Sequence, residues 1–565
     1  MWRYFVVFLA CLELKVSAEG RDSFHEQLLL KPLPSGKVLA HFQFVVQSNA
    51  DFRQEEDFVH FHLFPRSLGQ LISTYGVQEL HVSLTQGLWR TEDWGYPVRS
   101  APPGAEAYAW FATNSSLDER WRDVTNGLSG LLCASLSSIN SAGTAQPRRT
   151  LEPEGLDQGN PSSRLRYSSL PREIVCTENL TPFKKLLPCS DKSGIAQLLS
   201  AKSVMDGVYR SLALHVRPIC RVSSDIECTS LGLELSLSLT QVVDLLSYHS
   251  TPNWSLKKLF RSQLPSACPL ATVSRAMVDI TQNQTLYEAS VTPKPSSTQV
   301  LTLFGHQHTL AVYDAHKINS SRPVNIIWRY STPETYAKVP KPVFFIERLA
   351  TGYGDQDGGL LVRLHNTHPD NTLSLTYMET TLWYFRLLLH TMQATVNGQP
   401  VDLWPNLTYV AAKDRKKPHQ LEFDLQLPPS SVLEIRMEFD KAFQIWNEFP
   451  PDAHHGFYMS SGVARVLNLK SINASGLLGL PQSFVMPWQS SHESLLVHSP
   501  PLLIMLPTPD FSMPYNVICL SCTVVAIAFG SMHNLSIKRF TLQAAASTSL
   551  KDRILKLFRR GTAQS

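Results

Sequence analysis

Apolar side chains recur at every second position along much of this chain. In residues 231–239, LGLELSLSL, leucine alternates with other residues, which turns Leu231, Leu233, Leu235, Leu237 and Leu239 to one face and Glu234, Ser236 and Ser238 to the other. Val38, Ala40, Phe42 and Phe44 alternate with Leu39, His41 and Gln43, and Leu80, Val82 and Leu84 with His81 and Ser83. Each run predicts a half-buried strand. Two further runs, Leu421-Phe423-Leu425-Leu427 and Leu433-Ile435-Met437-Phe439, flank residues 428–431 and predict a hairpin. Helical spacing is scarce: 67–74 and 121–132 predict short helices, the second with Ser116-Leu117-Asp118-Glu119 as its start signal. The expected fold is mainly β, with sandwich-like domains.

One stretch breaks the alternation. Between Tyr515 and Met532 there is no Asp, Glu, Lys or Arg. These are about 18 residues, which at about 1.5 Å per residue just cross a hydrocarbon core. A transmembrane helix is therefore predicted at 513–535. After it come Lys538, Arg539, Lys551, Arg553, Lys556, Arg559 and Arg560 with Asp552 the only acid, whereas 481–512 contains no Lys or Arg. That asymmetry makes 536–565 a cytosolic tail and the bulk of the chain lumenal. In the tail, Leu550, Ile554, Leu557 and Phe558 fall on one helical face, which suits a basic amphipathic helix as well as a solvated stop-transfer tail. Residues 1–18, with Arg3, an apolar run at 4–12 and small residues at Val16-Ser17-Ala18, read as a signal peptide. The chain is thus expected to be a single-pass type I membrane protein. Two lumenal β-rich domains are expected, at 19–291 and 343–512. They are divided by a Pro-rich boundary region at 292–342, and 137–169 reads as an exposed loop of disordered composition.

Composition narrows the function. A chain of 565 residues with 43% hydrophobic content can bury a sizeable core, and a net charge of +4, carried largely by the tail, gives the lumenal part no basic field for nucleic acid. Of nine cysteines, Cys11 leaves with the signal peptide and Cys519 and Cys522 fall in the membrane. Cys133, Cys176, Cys189, Cys220, Cys228 and Cys268 remain in an oxidising compartment. Proximity makes Cys220 and Cys228 a candidate bridge, and the other pairings stay open. Asn-X-Ser/Thr sequons begin at Asn114, Asn179, Asn253, Asn283, Asn319, Asn406 and Asn473, as in a glycoprotein of the secretory route. There is no His-Glu-X-X-His, Gly-X-Ser-X-Gly or phosphate-cradling glycine loop. His365 with His368, and His454 with His455, read as surface or packing residues. GYGDQDGG at 352–359 reads as a turn, because Asn366 stands where a calcium loop needs a bidentate acid. No catalytic residue, metal or cofactor is assigned.

Two stretches then stand out: LPREIVCTENLTPFKKLLPC at 170–189 and PTPDFSMPYNVICLSC at 507–522. With PLPSG at 32–36, LFPRSLGQLIS at 63–73, ELHVSLTQGLW at 79–89, GLLCASL at 130–136, CPLA at 268–271 and HGFY at 455–458, they make the chain resemble the PIG-T family over nearly its whole mature length. Members are subunits of the glycosylphosphatidylinositol (GPI) transamidase of the endoplasmic reticulum membrane. The resemblance implies a non-catalytic scaffold that supports attachment of a GPI lipid to precursor proteins. Implied partners are the protease-like PIG-K, PIG-S, PIG-U and the GPI anchor attachment protein. It also implies that Cys176 forms an interchain disulfide with PIG-K, although the residues alone suit a Cys176–Cys189 bridge better. Asn516, Ser521 and Thr523 become candidates for packing against partner helices or lining a lipid site. The alternative is a type I cell-surface adhesion or receptor protein with no role in GPI attachment.

Overall fold

A computed structural model describes residues 22–33, 36–48, 61–113, 115–155, 161–223, 228–247, 251–281, 289–303, 306–319, 321–330, 342–352, 354–450, 452–467, 495–538, 550–551 and 554, with backbone alone at 161, 221–223, 228–230, 289, 301–303, 306–308, 446 and 453. The expected signal peptide, the sequons at Asn114, Asn283 and Asn473, and most of the tail lie outside the described residues. Among those described, the α-helices are α1 (Arg66–Tyr75), α2 (Thr91–Trp94), α3 (Leu117–Leu132), α4 (Thr177–Lys185), α5 (Ala201–Met205), α6 (Leu256–Phe260) and α7 (Ser512–Ile537). The rest of the regular structure is mainly strand, as the alternation predicts.

The first half is built on an eleven-stranded sheet, in the order Ser297–Leu303, His306–Asp314, Val273–Asp279, Ser23–Pro32, Lys37–Ser48, Cys228–Asp244, Tyr209–Ser223, Val77–Gln86, Gly104–Phe111, Leu165–Leu170 and Thr144–Ala145. The alternating residues Phe42, Leu80, Leu235 and Leu237 all face one layer, where they pack with Leu68 of α1, Trp121 of α3 and Phe183 of α4. The second half is a sandwich of two five-stranded sheets. One runs Phe344–Thr351, Asp357–Asn366, Ser431–Lys441, Phe385–Val396 and Gln399–Pro400, the other Leu407–Val410, His419–Leu427, Leu373–Thr381, Val463–Val466 and Leu495–His498. Their inner faces share a core that includes Leu364, Tyr377, Phe423 and Phe439.

Several expectations change once the strands are in place. The runs at 421–427 and 433–439 do not form a hairpin, because His419–Leu427 and Ser431–Lys441 lie in different sheets. The turn between them, with Ser430 at a φ of 48°, carries the chain across the sandwich. Alternation cannot separate the two arrangements, since either way Phe423 and Ile435 enter one core. Residues 292–330 are not a linker: Ser297–Leu303 and His306–Asp314 end the large sheet, and Ile327–Tyr330 pairs with Ala289–Thr292 and Trp254–Ser255. The stretch 137–169 is also built in where it is described. Thr144–Ala145 and Leu165–Leu170 extend the sheet, and the backbone N–H groups of Arg148, Arg149 and Thr150 donate to the buried carboxylate of Glu422.

The chain divides into two units. Both halves above lie in the first, Met1–Phe443 with Asp452–Pro507, and α7 lies in the second, Gln444–Pro451 with Thr508–Ser565. Helix α7 has 26 residues, is long and apolar enough to cross a membrane, and has no side chain buried against the rest of the protein, as suits a membrane span. Phe511 packs edge-on against Phe449 with ring centroids 5.4 Å apart and lies 5.7 Å from Tyr515, an aromatic cluster of the kind found at a membrane boundary.

Candidate functional site

Cys176 sits at the N-terminus of α4 with an extended backbone, φ −126° and ψ −178°. The helix starts there because Asn179 supplies the missing cap: its Oδ1 accepts the Cys176 N–H at 2.8 Å. The same side chain donates from Nδ2 to the carbonyls of Leu132 at 3.1 Å and Cys133 at 2.7 Å, where α3 ends with Cys133 in the left-handed region at φ 51°. One buried amide thus ties the start of α4 to the end of α3. Glu178 in the first turn and Lys184 and Lys185 in the last complement the helix dipole. Arg210 reaches Val175 O with Nη2 at 3.3 Å and Met205 O with Nη1 at 3.1 Å. Burial lowers the pKa of its guanidinium, against a smaller upward pull from the neighbouring Cys176 sulfur.

The cysteines are sorted around this point. Cys189, just past the end of α4, bonds to Cys268 with a Cα–Cα distance of 6.2 Å, so it does not bridge to Cys176. Beside that bridge the buried Glu26 carboxylate accepts from Cys268 N at 3.0 Å, Ile195 N at 3.1 Å and Ser274 Oγ at 2.6 Å, which fixes the platform under α4. Cys220 is disulfide-bonded, and Cys228 opens the neighbouring strand with its side chain outside the described residues. Cys176 is a free, partly exposed thiol, and Cys133 is free and exposed.

Other candidate residues fall as follows. Asn179 is 2% exposed with its amide nitrogen used by two carbonyls, so a glycan on it is incompatible with this fold. Asn319 and Asn406 are exposed, and Asn253 is partly exposed with its Oδ1 accepting from Tyr330 N. On α7, Asn516, Ser521 and Thr523 all face outward. Asn516 and Thr523, seven residues apart, share a face, whereas Ser521 is rotated about 140° from Asn516. The Thr523 hydroxyl donates to Cys519 O in its own helix at 2.7 Å. His365 stacks on Phe345 with centroids 4.2 Å apart, and His368 Nδ1 accepts the Asp370 and Asn371 N–H groups, which commits both to packing and turns.

Sequence reasoning missed a buried polar cluster where the second face of the large sheet meets the sandwich. Glu234, Ser236 and Ser238, expected on a solvated face, are buried there. His81 Nδ1 lies 2.8 Å from His215 Nδ1, and His81 Nε2 lies 2.7 Å from Glu79. Burial raises the pKa of the Glu154 carboxyl, but Arg99, His81, His215 and Arg217 together outweigh that and hold it well below its usual value. Ser100 Oγ lies 2.7 Å from His498 Nδ1, whose Nε2 lies 3.2 Å from Glu106. This hydroxyl–imidazole–carboxylate line resembles a nucleophile and its base. The cavity beside it has room for about one water molecule, so a substrate does not fit and the line acts as a joint between the halves.

The same buried face predicts an acid response. His41, whose Nδ1 lies 2.8 Å from Thr240 Oγ1, has its pKa lowered by burial to about 4. Unfolded, a histidine titrates near about 6.5. Between those values the unfolded chain binds the extra proton, so stability is present above the higher one and is lost as pH falls toward the lower. At pH 5 the loss from His41 is about 2 kcal/mol. Thermal unfolding of the full-length protein is expected at lower temperature at pH 5 than at pH 7, with a smaller difference for His41→Gln; equal slopes for both proteins would remove His41 from the account.

The sequence profile of the Gpi16 subunit, a GPI transamidase component, matches residues 5–252 and 246–560. The chain belongs to the Gpi16 family. Its relatives include the GPI-anchor transamidase component PIGT of Mus musculus, 42% identical over 96% of this chain and 94% of the relative. The Homo sapiens PIGT is 42% identical with the same coverage, and the Saccharomyces cerevisiae GPI transamidase component GPI16 is 29% identical over 94% of this chain and 92% of its own. As a Gpi16 family member the chain has a role in GPI attachment within a multi-subunit complex.

Proposed function

We propose that this chain is the non-catalytic scaffold subunit of the GPI transamidase in the endoplasmic reticulum membrane. In this reading it is oriented as a type I protein, and it holds the protease-like PIG-K through an interchain disulfide at Cys176. PIG-S, PIG-U and the GPI anchor attachment protein complete the assembly, which acts on precursor proteins and the GPI lipid. The observation that carries the reading is the state of Cys176: its nearest cysteine in sequence, Cys189, is bonded elsewhere, and the free thiol is held at a fixed helix start beside Arg210. A covalent tether makes docking of the catalytic chain effectively intramolecular, so it survives transient loss of the noncovalent contacts.

Cells lacking this chain are the test. Reintroducing the full-length protein should restore surface display of a GPI-anchored reporter and co-purify the four partner subunits, with glycans that stay sensitive to endoglycosidase H. Reporter display that never depended on the chain, or resistant glycans, would overturn the reading. Within the span, Asn516→Leu should reduce recovery of the partner membrane subunits more than Thr523→Ala, because the Thr523 hydroxyl is already bonded to its own helix. Equal recovery of those subunits with both variants would count against a partner-facing Asn516.

A further inference from the structure

A cleft of about 660 Å³ opens between α3, the segment 137–148 and the turn at 413–417 of the sandwich. It lies in the first unit, where Gln146 and Gln420 join its two walls: Gln420 Nε2 donates to Gln146 O at 2.9 Å and Gln146 N to Gln420 Oε1 at 3.0 Å. Its size is that of a small-molecule pocket, about 300–1000 Å³. A flat protein-docking surface has no such depth.

Charge in the cleft is unbalanced. The lining carries five cations, Arg122, Arg148, Arg166, Lys416 and Lys417, against the carboxylates of Asp118 and Glu119. Arg166 is matched with Asp118 at 2.7 Å, whereas the exposed side chains of Arg148, Lys416 and Lys417 have no carboxylate partner among the described residues. The two lysines are not on a loose loop. Lys416 N and Lys417 N both donate to Lys413 O, at 2.8 and 2.9 Å, and Lys413 N returns a bond to Lys417 O at 3.1 Å, so the turn presents both ammonium stems from a fixed backbone. Pre-placed cations facing one cleft recognise an anion with little ordering cost. Arg148 adds a planar fork suited to phosphate.

The neutral lining selects among anions. Asn126, Ser137, Asn140 and Ser141 contribute amides and hydroxyls; of the apolar members, Trp121, Ile139, Ala145 and Pro418 are buried and Val410 is half-buried. Hydrogen-bonding groups interspersed with apolar surface suit a sugar, whose hydroxyls take the amides and hydroxyls while its ring carbons lie against the apolar part. We propose that this cleft binds a phosphate-bearing carbohydrate, with Lys416, Lys417 and Arg148 on the phosphate and Asn126, Ser137 and Ser141 on the sugar hydroxyls. The proposal is independent of the tether at Cys176, and either stands if the other fails.

The experiment is a calorimetric titration of the full-length protein in detergent with glucosamine 6-phosphate at low ionic strength. Saturable binding is expected, weakened by salt and at least tenfold tighter than that of unphosphorylated glucosamine. Lys416→Glu with Lys417→Glu should lose at least tenfold while unfolding at the wild-type temperature, and Ser141→Trp, which fills the cleft without touching its charge, should also lose binding. Competition by nanodiscs containing phosphatidylinositol 4-phosphate, but not by phosphatidylcholine nanodiscs, would assign the site to a lipid headgroup; no competition would assign it to a free glycan. Absence of saturable binding, equal binding of glucosamine, tighter binding of hexaglutamate, or an unaffected lysine double variant would each overturn the proposal.

Discussion

Glu422→Ala is expected to destabilise the protein by about 3–5 kcal/mol, the range for stranding buried partners of a charged group. The carboxylate is fully buried in the strand His419–Leu427 and accepts three successive backbone N–H groups, from Arg148, Arg149 and Thr150, at 3.0 to 3.2 Å. Thr150 Oγ1 adds a bond at 3.0 Å. Three consecutive amides converging on one anion form a nest that has no other partner to turn to. Losing it also frees the segment that carries Glu152 to Arg465 and Glu154 to Arg99, the contacts that cover the buried polar face. Thermal unfolding of the full-length protein reads the effect, and Glu422→Gln, which keeps the shape and one acceptor, should lose about half as much. An unchanged midpoint in Glu422→Ala would mean that the segment is held by something else.

Removing the internal bridge should cost a similar amount. Cys189 and Cys268 are 79 residues apart in sequence, and closing a loop of that size restricts the unfolded chain by about 4 kcal/mol. Cys189→Ser with Cys268→Ser is expected to lose about that much stability. It should also increase proteolysis around 186–200, because the chain just past α4 then loses its covalent tie to Cys268. A double variant as stable and as protease-resistant as the wild type would show that Glu26 and its three bonds suffice to anchor the platform.

Much of the fold was legible because a buried face imposes a period of two on the residues that fill it. Leu231 to Leu239 and Phe42 with Phe44 announced their strands, and the uncharged stretch around Val524 announced the span. Other features depend on contacts that no local pattern encodes. Glu234, Ser236 and Ser238 read as solvated because alternation is blind to whether a polar face meets water or Gln47, Gln43 and Arg217. The segment at 148–155 looked like a free loop because its anchor, Glu422, lies some 270 residues away in the chain. Helix α4 was hidden by Pro182 and by a cap, Asn179, that also begins a sequon. At the candidate site the resemblance pointed to Cys176, and the structure added what the sequence could not: the Cys189–Cys268 pair that leaves it free, and Arg210 beside it.

The scaffold role proposed for this chain turns on a covalent hold of the catalytic subunit through Cys176. A non-reducing gel of the immunopurified native protein, wild type beside Cys176→Ser, tests it most directly when blotted for this chain and for the protease-like subunit. The account predicts one shared band at the summed mass that collapses with reductant and is missing in the variant. A wild-type protein that runs alone at its own mass under the same conditions would contradict it.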